Sequence, residues 1–264
     1  MWTQLRGSWC LILGVSSGMG LATAREFARQ GANVLGVYFE TAAGQEKTDV
    51  LAEELRSNGV QVHFFNANAA SATTRAELVP RFAELTGEDG VRMFMHSLAF
   101  GSLVPFIAED PKHAVAARQL DMTLNVMAHS LVYWTQDLVA AGLLRTAAKI
   151  FAMTSAGDEK VSPNYGAVSA AKCALESHVR QLALELAPNG IAVNSIRAGV
   201  TLTPSLQKIP EHRELVERSR RANPHQRLTV PEDVAEAIAL LCHTDSSWIT
   251  GNIIGVDGGE ALTS

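Results

Sequence analysis

The sequence is poor in the features that mark several protein classes. Its three cysteines, Cys10, Cys173 and Cys242, are too few and too far apart for a disulfide framework, and none are paired at zinc-ligand spacing. A reducing compartment fits best. Charged residues make up only 19% and aromatics 6%, against a hydrophobic share of 47%, which excludes a disordered or fibrous chain. Positive charge is in deficit, with 22 Lys+Arg against 27 Asp+Glu and a net of −5, so no nucleic-acid surface is implied and any polyanionic partner must meet a local patch. The longest early apolar stretch, Trp9 to Val15, is far too short to cross a bilayer, and no basic segment leads through an apolar stretch to a cleavage-like site. A cytoplasmic protein without membrane contact is expected. The eight histidines show no His-Glu-x-x-His or clustered spacing, so no metal is implied.

Linkers rich in Pro, Gly or Ser are also missing, as are internal repeats, so residues 1–264 are expected to form one domain. Short runs rich in Val, Ile and Phe alternate with stretches of helical periodicity, the pattern of βαβ units. The candidate strands are Trp9–Leu13, Asn33–Tyr38, Gln61–Phe65, Arg92–His96, Lys149–Thr154, Ala192–Ile196 and Asn252–Val256. Nearly unbroken apolar runs such as "CLIL" and "KIFAM" suit parallel strands buried on both faces. The expected fold is α/β, a single doubly wound Rossmann-type domain with a seven-stranded parallel sheet and helices on both faces. One irregular stretch, Ala198–Pro231, holds Pro204, Pro210, Pro224 and Pro231 around an amphipathic segment, Glu211–Arg221, and reads as a flap over a site.

Directly after the first strand comes Gly14-Val15-Ser16-Ser17-Gly18-Met19-Gly20. Glycines permit a tight turn and close backbone approach, and the following helix N-terminus offers N–H groups and a positive dipole end to a pyrophosphate. The spacing is G-x3-G-x-G rather than G-x-G-x-x-G. Past the second strand, Glu40 stands about 20 residues beyond the glycines, where an acid holds the adenosine ribose hydroxyls and repels a 2′-phosphate. That favours NADH over NADPH. Ser17 adds no cationic side chain, while Tyr38 occupies the strand-end position where the acid is most expected, and Glu40 also reads as a solvated loop charge. Asn68, after the third strand, suits adenine contact and equally a turn.

Tyr165 and Lys172 stand in Tyr-Gly-Ala-Val-Ser-Ala-Ala-Lys. Seven residues make two helical turns, about 20° short of full registry, so both side chains project from one helix face. A lysine near a phenol favours phenolate and makes the hydroxyl a better proton donor near neutrality, and it can also grip the nicotinamide ribose. A lone Tyr and Lys at this spacing are more often surface decoration; a dinucleotide turn and a fifth strand ahead of the pair favour the catalytic reading.

With these motifs the chain resembles the short-chain dehydrogenase/reductase superfamily, and within it the bacterial enoyl-acyl carrier protein reductases. The resemblance runs nearly end to end, through His96-Ser97-Leu98-Ala99-Phe100, Pro163-Asn164-Tyr165, Lys172 and Asn194 to Val256-Asp257-Gly258-Gly259. Most of the superfamily carries Tyr-x3-Lys, whereas the enoyl reductases carry Tyr-x6-Lys, as here; Val168 fills the position where a ketoreductase has its tyrosine. Resemblance implies reduction of a trans-2-enoyl thioester, on acyl carrier protein or CoA, in fatty-acid or polyketide synthesis. The phenol is then displaced to serve the thioester carbonyl oxygen, where charge develops.

It further implies that Ser97, Leu98 and Ala99 lie along the cofactor ribose and nicotinamide, and that Thr203 contacts the carboxamide or phosphates, although Val200 replaces the usual proline of that bend. Ser155 matches the serine with which ketoreductases bind substrate, at the position of a second tyrosine in many enoyl reductases; it binds substrate or caps the strand end. That departure resembles the NADPH-using branch. Asn125 stands in for the ketoreductase asparagine only if the register allows. A homotetramer is implied, with Val256–Gly259 at a subunit contact. Arg218, Arg220 and Arg221, with Arg213 before them, form a solvated helix face or a dock for an acidic carrier protein. The alternatives are a ketoreductase or alcohol dehydrogenase, and a nucleotide-sensing regulator without catalysis. His96 reads as a strand-end residue rather than a catalytic base, and Cys173 as a small buried residue rather than a nucleophile.

Overall fold

The computed structural model describes residues 5–156, 161–203, 206–208 and 212–263; Pro204, Pro210 and Glu211 of the expected flap lie outside them. Seven strands form one sheet: β1 (Trp9–Leu13), β2 (Asn33–Tyr38), β3 (Val62–Asn66), β4 (Val91–His96), β5 (Leu144–Thr154), β6 (Ala192–Ala198) and β7 (Ile253–Val256). Their order is β3-β2-β1-β4-β5-β6-β7, with every pairing parallel. The doubly wound sheet is therefore as expected, with β1 and β2 at their expected bounds and one or both ends of each other strand moved by one to five residues. β5 begins earliest against expectation, at Leu144, because a register irregularity opposite Val91 and Met93 and a left-handed Ala147 (φ 71°) carry the chain into the sheet.

Nine helices among the described residues accompany the strands: α1 (Gly18–Arg29), α2 (Ala42–Arg56), α3 (Ala72–Thr86), α4 (Ala117–Leu124), α5 (Ser130–Ala140), α6 (Gly166–Leu186), α7 (His212–Ala222), α8 (Pro231–Cys242) and α9 (Glu260–Thr263). Alternation along β1 shows how they divide. Trp9, Leu11 and Leu13 enter a core with Phe82 of α3, Trp134 of α5 and Leu175 of α6. Cys10 and Ile12 enter the opposite core with Phe27 of α1, Leu55 of α2 and Ile238 of α8. All five residues of β1 are buried, as a strand covered on both faces must be. Each such Leu or Ile contributes about 1.5–3 kcal/mol of burial.

Between α4 and α5 a π segment, Asn125–His129, interrupts the helical run. The amphipathic flap segment forms α7, one residue later than the spacing predicts. Strand order reverses between β1 and β4, and ligands of open parallel sheets bind at the carboxyl ends beside such a switch. No helix among the described residues is long and apolar enough to cross a membrane.

Candidate active site

At the switch point the end of β1 meets the end of β4, where Ser97 N donates to Leu13 O at 3.0 Å. Gly14 has φ +88°, and a Cβ there would fall 2.4 Å from the Ser97 carbonyl oxygen. A Cβ on Gly20 would fall 2.2 Å from the Gly14 carbonyl oxygen. Both contacts demand glycine, so the turn packs as tightly as a phosphate-binding turn requires. Ser17 is the extended N-cap of α1 and makes no side-chain cap, so the helix start is left to backbone N–H groups. Met19 packs into the apolar core beneath the turn. A dinucleotide fits this arrangement: a backbone cradle, an uncapped helix start and neighbouring polar groups from other loops.

Thr203 reaches the same turn. Its Cγ2 lies 3.5 Å from the position of a Cβ on Gly18, while its hydroxyl accepts from Leu206 N at 3.2 Å. Ser16 Oγ donates to Glu40 Oε1 at 3.5 Å, which brings the acid to the glycine turn rather than leaving it in a separate loop. Ser97 and Leu98 are half-buried and Ala99 is exposed at the mouth. Asn68 makes a local turn, its Oδ1 accepting from Ala70 N at 3.0 Å.

The chemical end is built by β5 and α6. A tight turn with Tyr165 N donating to Ser162 O, Pro163 at its second position and Asn164 left-handed at φ 61°, delivers Tyr165 to the N-cap of α6. Tyr165 thus precedes the helix instead of sitting inside it; its carbonyl accepts from Ser169 N at 2.9 Å, so the two-turn spacing to Lys172 still holds. Ser155, one residue beyond β5, has its hydroxyl 3.4 Å from the Tyr165 phenol oxygen. Lys172 is 6% exposed and its Nζ donates to Met153 O at 2.6 Å, anchoring it at the end of the same strand; the next residue, Cys173, is exposed rather than buried as expected, because it falls on the outer face of α6.

Two pairs of buried polar groups support this corner. Thr154 donates to Glu176 Oε1 at 2.6 Å, fastening the strand end to α6 one turn past Lys172. His96 is fully enclosed at the end of β4; Ser130 donates its one hydrogen to Val126 O, so His96 Nε2 donates to Ser130 at 2.8 Å. Burial, and then the nearby Lys172 charge, push His96 down to about 3, which keeps it neutral. Val168 is buried with Met127 and Ala171, leaving an apolar side chain where a ketoreductase hydroxyl would stand.

Asn125 is half-buried at the start of the π segment, and no contact to Tyr165 or Lys172 is made by its side chain among the described hydrogen bonds. Phe106 escaped the sequence reading. Its ring lies 2.6 Å from the position of a Cβ on Gly166, against the helix start that carries Tyr165, and no linear spacing announces such a loop contact. Asn66 was passed over for Asn68, yet its side chain bonds the Glu40 backbone twice, at 3.0 Å each. Among the described residues no cluster of His, Cys, Asp or Glu could hold a metal ion.

A glycine turn at a doubly wound switch point, facing a Tyr and Lys anchored at the fifth strand, defines an oxidoreductase of the short-chain dehydrogenase/reductase superfamily. The chain belongs to the family whose model is described as Enoyl-(Acyl carrier protein) reductase, which matches residues 14–260. It is 26% identical to the Escherichia coli enoyl-[acyl-carrier-protein] reductase [NADH] FabI over 98% of this chain and 96% of that one. It is 28% identical to the Thermotoga maritima 3-oxoacyl-[acyl-carrier-protein] reductase FabG, over 98% and 100%. Among solved structures, a short-chain dehydrogenase from Burkholderia cenocepacia in complex with NADP superposes with a TM-score of 0.82 at 25% identity, over 98% and 100% of the two chains.

Proposed function

We propose that this protein reduces the double bond of a trans-2-enoyl thioester to the saturated acyl thioester, in fatty-acid or polyketide synthesis, using NADH in preference to NADPH. The observation that carries this is the pairing of Ser155 with Tyr165 while Val168 is buried among Met127 and Ala171. When bound, the nicotinamide supplies hydride to C3 of the substrate. Charge then develops on the thioester carbonyl oxygen, beyond the bond being reduced, and the enolate takes a proton at C2 from solvent to complete the saturated product. Tyr165 donates a hydrogen bond to that oxygen and Ser155 supports it, a preorganised donor pair in a half-buried site. Lys172 orients the cofactor ribose from its anchor on Met153, and its positive charge favours the tyrosinate that forms if the proton is given up.

Gly14, Ser16, Ser17, Gly18, Met19 and Gly20 hold the pyrophosphate, with Thr203 against Gly18 and Ser97, Leu98 and Ala99 along the nicotinamide side. Glu40 takes the adenosine ribose hydroxyls. Asn68 is assigned to adenine by its outer face, its Oδ1 being already engaged with Ala70. Phe100, Phe106 and Leu202 are exposed apolar groups at the mouth, suited to an acyl chain. An acidic acyl carrier protein docks at α7, where Arg218 and Arg221 are exposed and Arg220 pairs with Glu217 at 3.4 Å. A cytoplasmic homotetramer is the expected form; Trp248, 93% exposed just ahead of edge strand β7, supplies apolar surface for a subunit contact. Within Val256–Gly259, Asp257 accepts from Gly259 N and Ala261 N and so starts α9.

A second reading, reduction of a 3-keto thioester, is favoured by Ser155, which matches the ketoreductase serine. Consumption of NADH and NADPH against crotonyl and acetoacetyl thioesters separates the two. Turnover of crotonyl thioester at least tenfold above acetoacetyl upholds the enoyl assignment, and the reverse order replaces it.

A further inference from the structure

We propose that Asn66 and Gly44 set the cofactor preference by fixing the Glu40 backbone, and through it the carboxylate, at the edge of the nucleotide site. The inference rests on the reading of Glu40 as the ribose carboxylate. Glu40 lies two residues past β2, in a connection that would otherwise leave its side chain free to swing. Asn66, the last residue of β3, fixes the backbone from which that side chain departs. Its Oδ1 accepts from Glu40 N at 3.0 Å and its Nδ2 donates to Glu40 O at 3.0 Å. A peptide N–H only donates and a C=O only accepts, so this double bond admits one orientation of the amide. Asn66 Nδ2 also donates to Gln45 Oε1 at 3.2 Å, tying the clamp to the first turns of α2. Together with Ala67 N donating to Tyr38 O at 2.7 Å, the side chain extends the β2–β3 ladder past its last strand residue.

Gly44 supplies the room. A Cβ there would lie 2.8 Å from Glu40 Cβ and 2.9 Å from Glu40 Oε2, and the first of these atoms cannot rotate away without moving the backbone that Asn66 holds. The carboxylate so confined meets Ser16 Oγ in the glycine turn. A fixed anion rejects a 2′-phosphate more strongly than a mobile one, because a swinging carboxylate yields its place to the phosphate and is screened by solvent. Asn66 and Gly44 are therefore positioning residues acting through Glu40.

Dissociation constants for NADH and NADPH, measured by fluorescence titration on the full-length protein, test this without any choice of substrate. Glu40→Ala should lower the NADH-over-NADPH preference most, by tenfold or more. Asn66→Ala and Gly44→Ala should each lower it about five- to tenfold, and Asn66→Asp, which keeps the acceptor for Glu40 N but loses both donations, should fall between Asn66→Ala and the parent. The double variant Glu40→Ala/Asn66→Ala should match Glu40→Ala within twofold, since a residue acting through another has no effect once that one is gone. A merely structural Asn66 would weaken both cofactors equally, or add its loss to that of Glu40→Ala; either result overturns the proposal. An unchanged preference in Glu40→Ala overturns the ribose reading itself, whereas a shift in Glu40→Ala with none in Asn66→Ala and Gly44→Ala overturns the clamp alone.

Discussion

The hydroxyl of Ser155 stands 3.4 Å from the phenol oxygen of Tyr165, although one closes a strand and the other opens a helix. Two hydroxyls so placed can meet one substrate oxygen. Tyr165→Phe should then lose at least a hundredfold in kcat on the enoyl thioester while the NADH dissociation constant changes less than threefold. Single-turnover kinetics and cofactor titration check this, and near-parent kcat would refute the assignment.

Ser155→Ala should cost about ten- to a hundredfold in kcat/KM with little change in Tm, since a hydrogen bond to developing charge is worth about 1.5–3 kcal/mol. The opposite pattern, lower Tm with unchanged kinetics, would assign Ser155 to capping the strand end.

Gly14 and Gly59 both have positive φ, +88° and +77°, but only Gly14 has a neighbour in reach, with nothing within 4 Å of a Cβ on Gly59. Gly59→Ala should cost about 1–2 kcal/mol from backbone strain alone. Gly14→Ala should cost more, through overlap with Ser97 O, and should weaken NADH binding at least tenfold. Equal losses of stability with intact NADH binding in both would show that the close approach at Gly14 has no role in the cofactor cradle.

His96 titrates near 3 in the folded chain against an ordinary value of 6.5, from burial and then from Lys172. A depressed folded value means that its contribution to stability is complete above pH 6.5 and is lost as pH falls from 6.5 towards 3. His63 and His178 are shifted the same way, chiefly by burial, but both are partly exposed and add less. Thermal melts of His96→Asn should start lower at pH 7 yet fall less steeply than the parent between pH 6.5 and 4. Parallel slopes would place the acid sensitivity elsewhere.

Charge reversal of Arg218, Arg220 and Arg221 should raise KM for a carrier-bound enoyl substrate about five- to tenfold and leave an uncharged N-acetylcysteamine enoyl thioester unaffected, since opposite charge steers the carrier alone. Equal effects on both substrates would remove α7 from the docking surface.

Much of the fold was legible because parallel strands buried on both faces must be apolar throughout, and β1, β2 and the core of β5 are. Strand ends were less so, since hydrogen bonding continues into polar residues such as Asn66 and Arg197 that carry no apolar signal. The start of β5 was hidden because Leu144–Ala148 enters through an irregularity that breaks the run. In the site, Gly14, Gly18 and Gly20 announced themselves by spacing next to a strand, and Tyr165 and Lys172 by two helical turns. Asn66, Phe106 and Glu176 did not, because each works through a partner from another element, and Asn68, the more obvious choice in its loop, forms a local turn.

By itself, then, the sequence determined the order of strands and helices, the glycine turn, and the Tyr and Lys at their family spacing, all of which depend on periodicity and on neighbours along the chain. Tertiary structure decided which distant residues meet: Ser155 with Tyr165, Thr203 with Gly18, and Asn66 with Glu40. Those contacts follow from the β3-β2-β1-β4-β5-β6-β7 order, which gathers the carboxyl ends of strands far apart in sequence along one edge. Local pattern specifies the elements, while hydrogen bonds between their ends depend on the packing that brings the elements side by side.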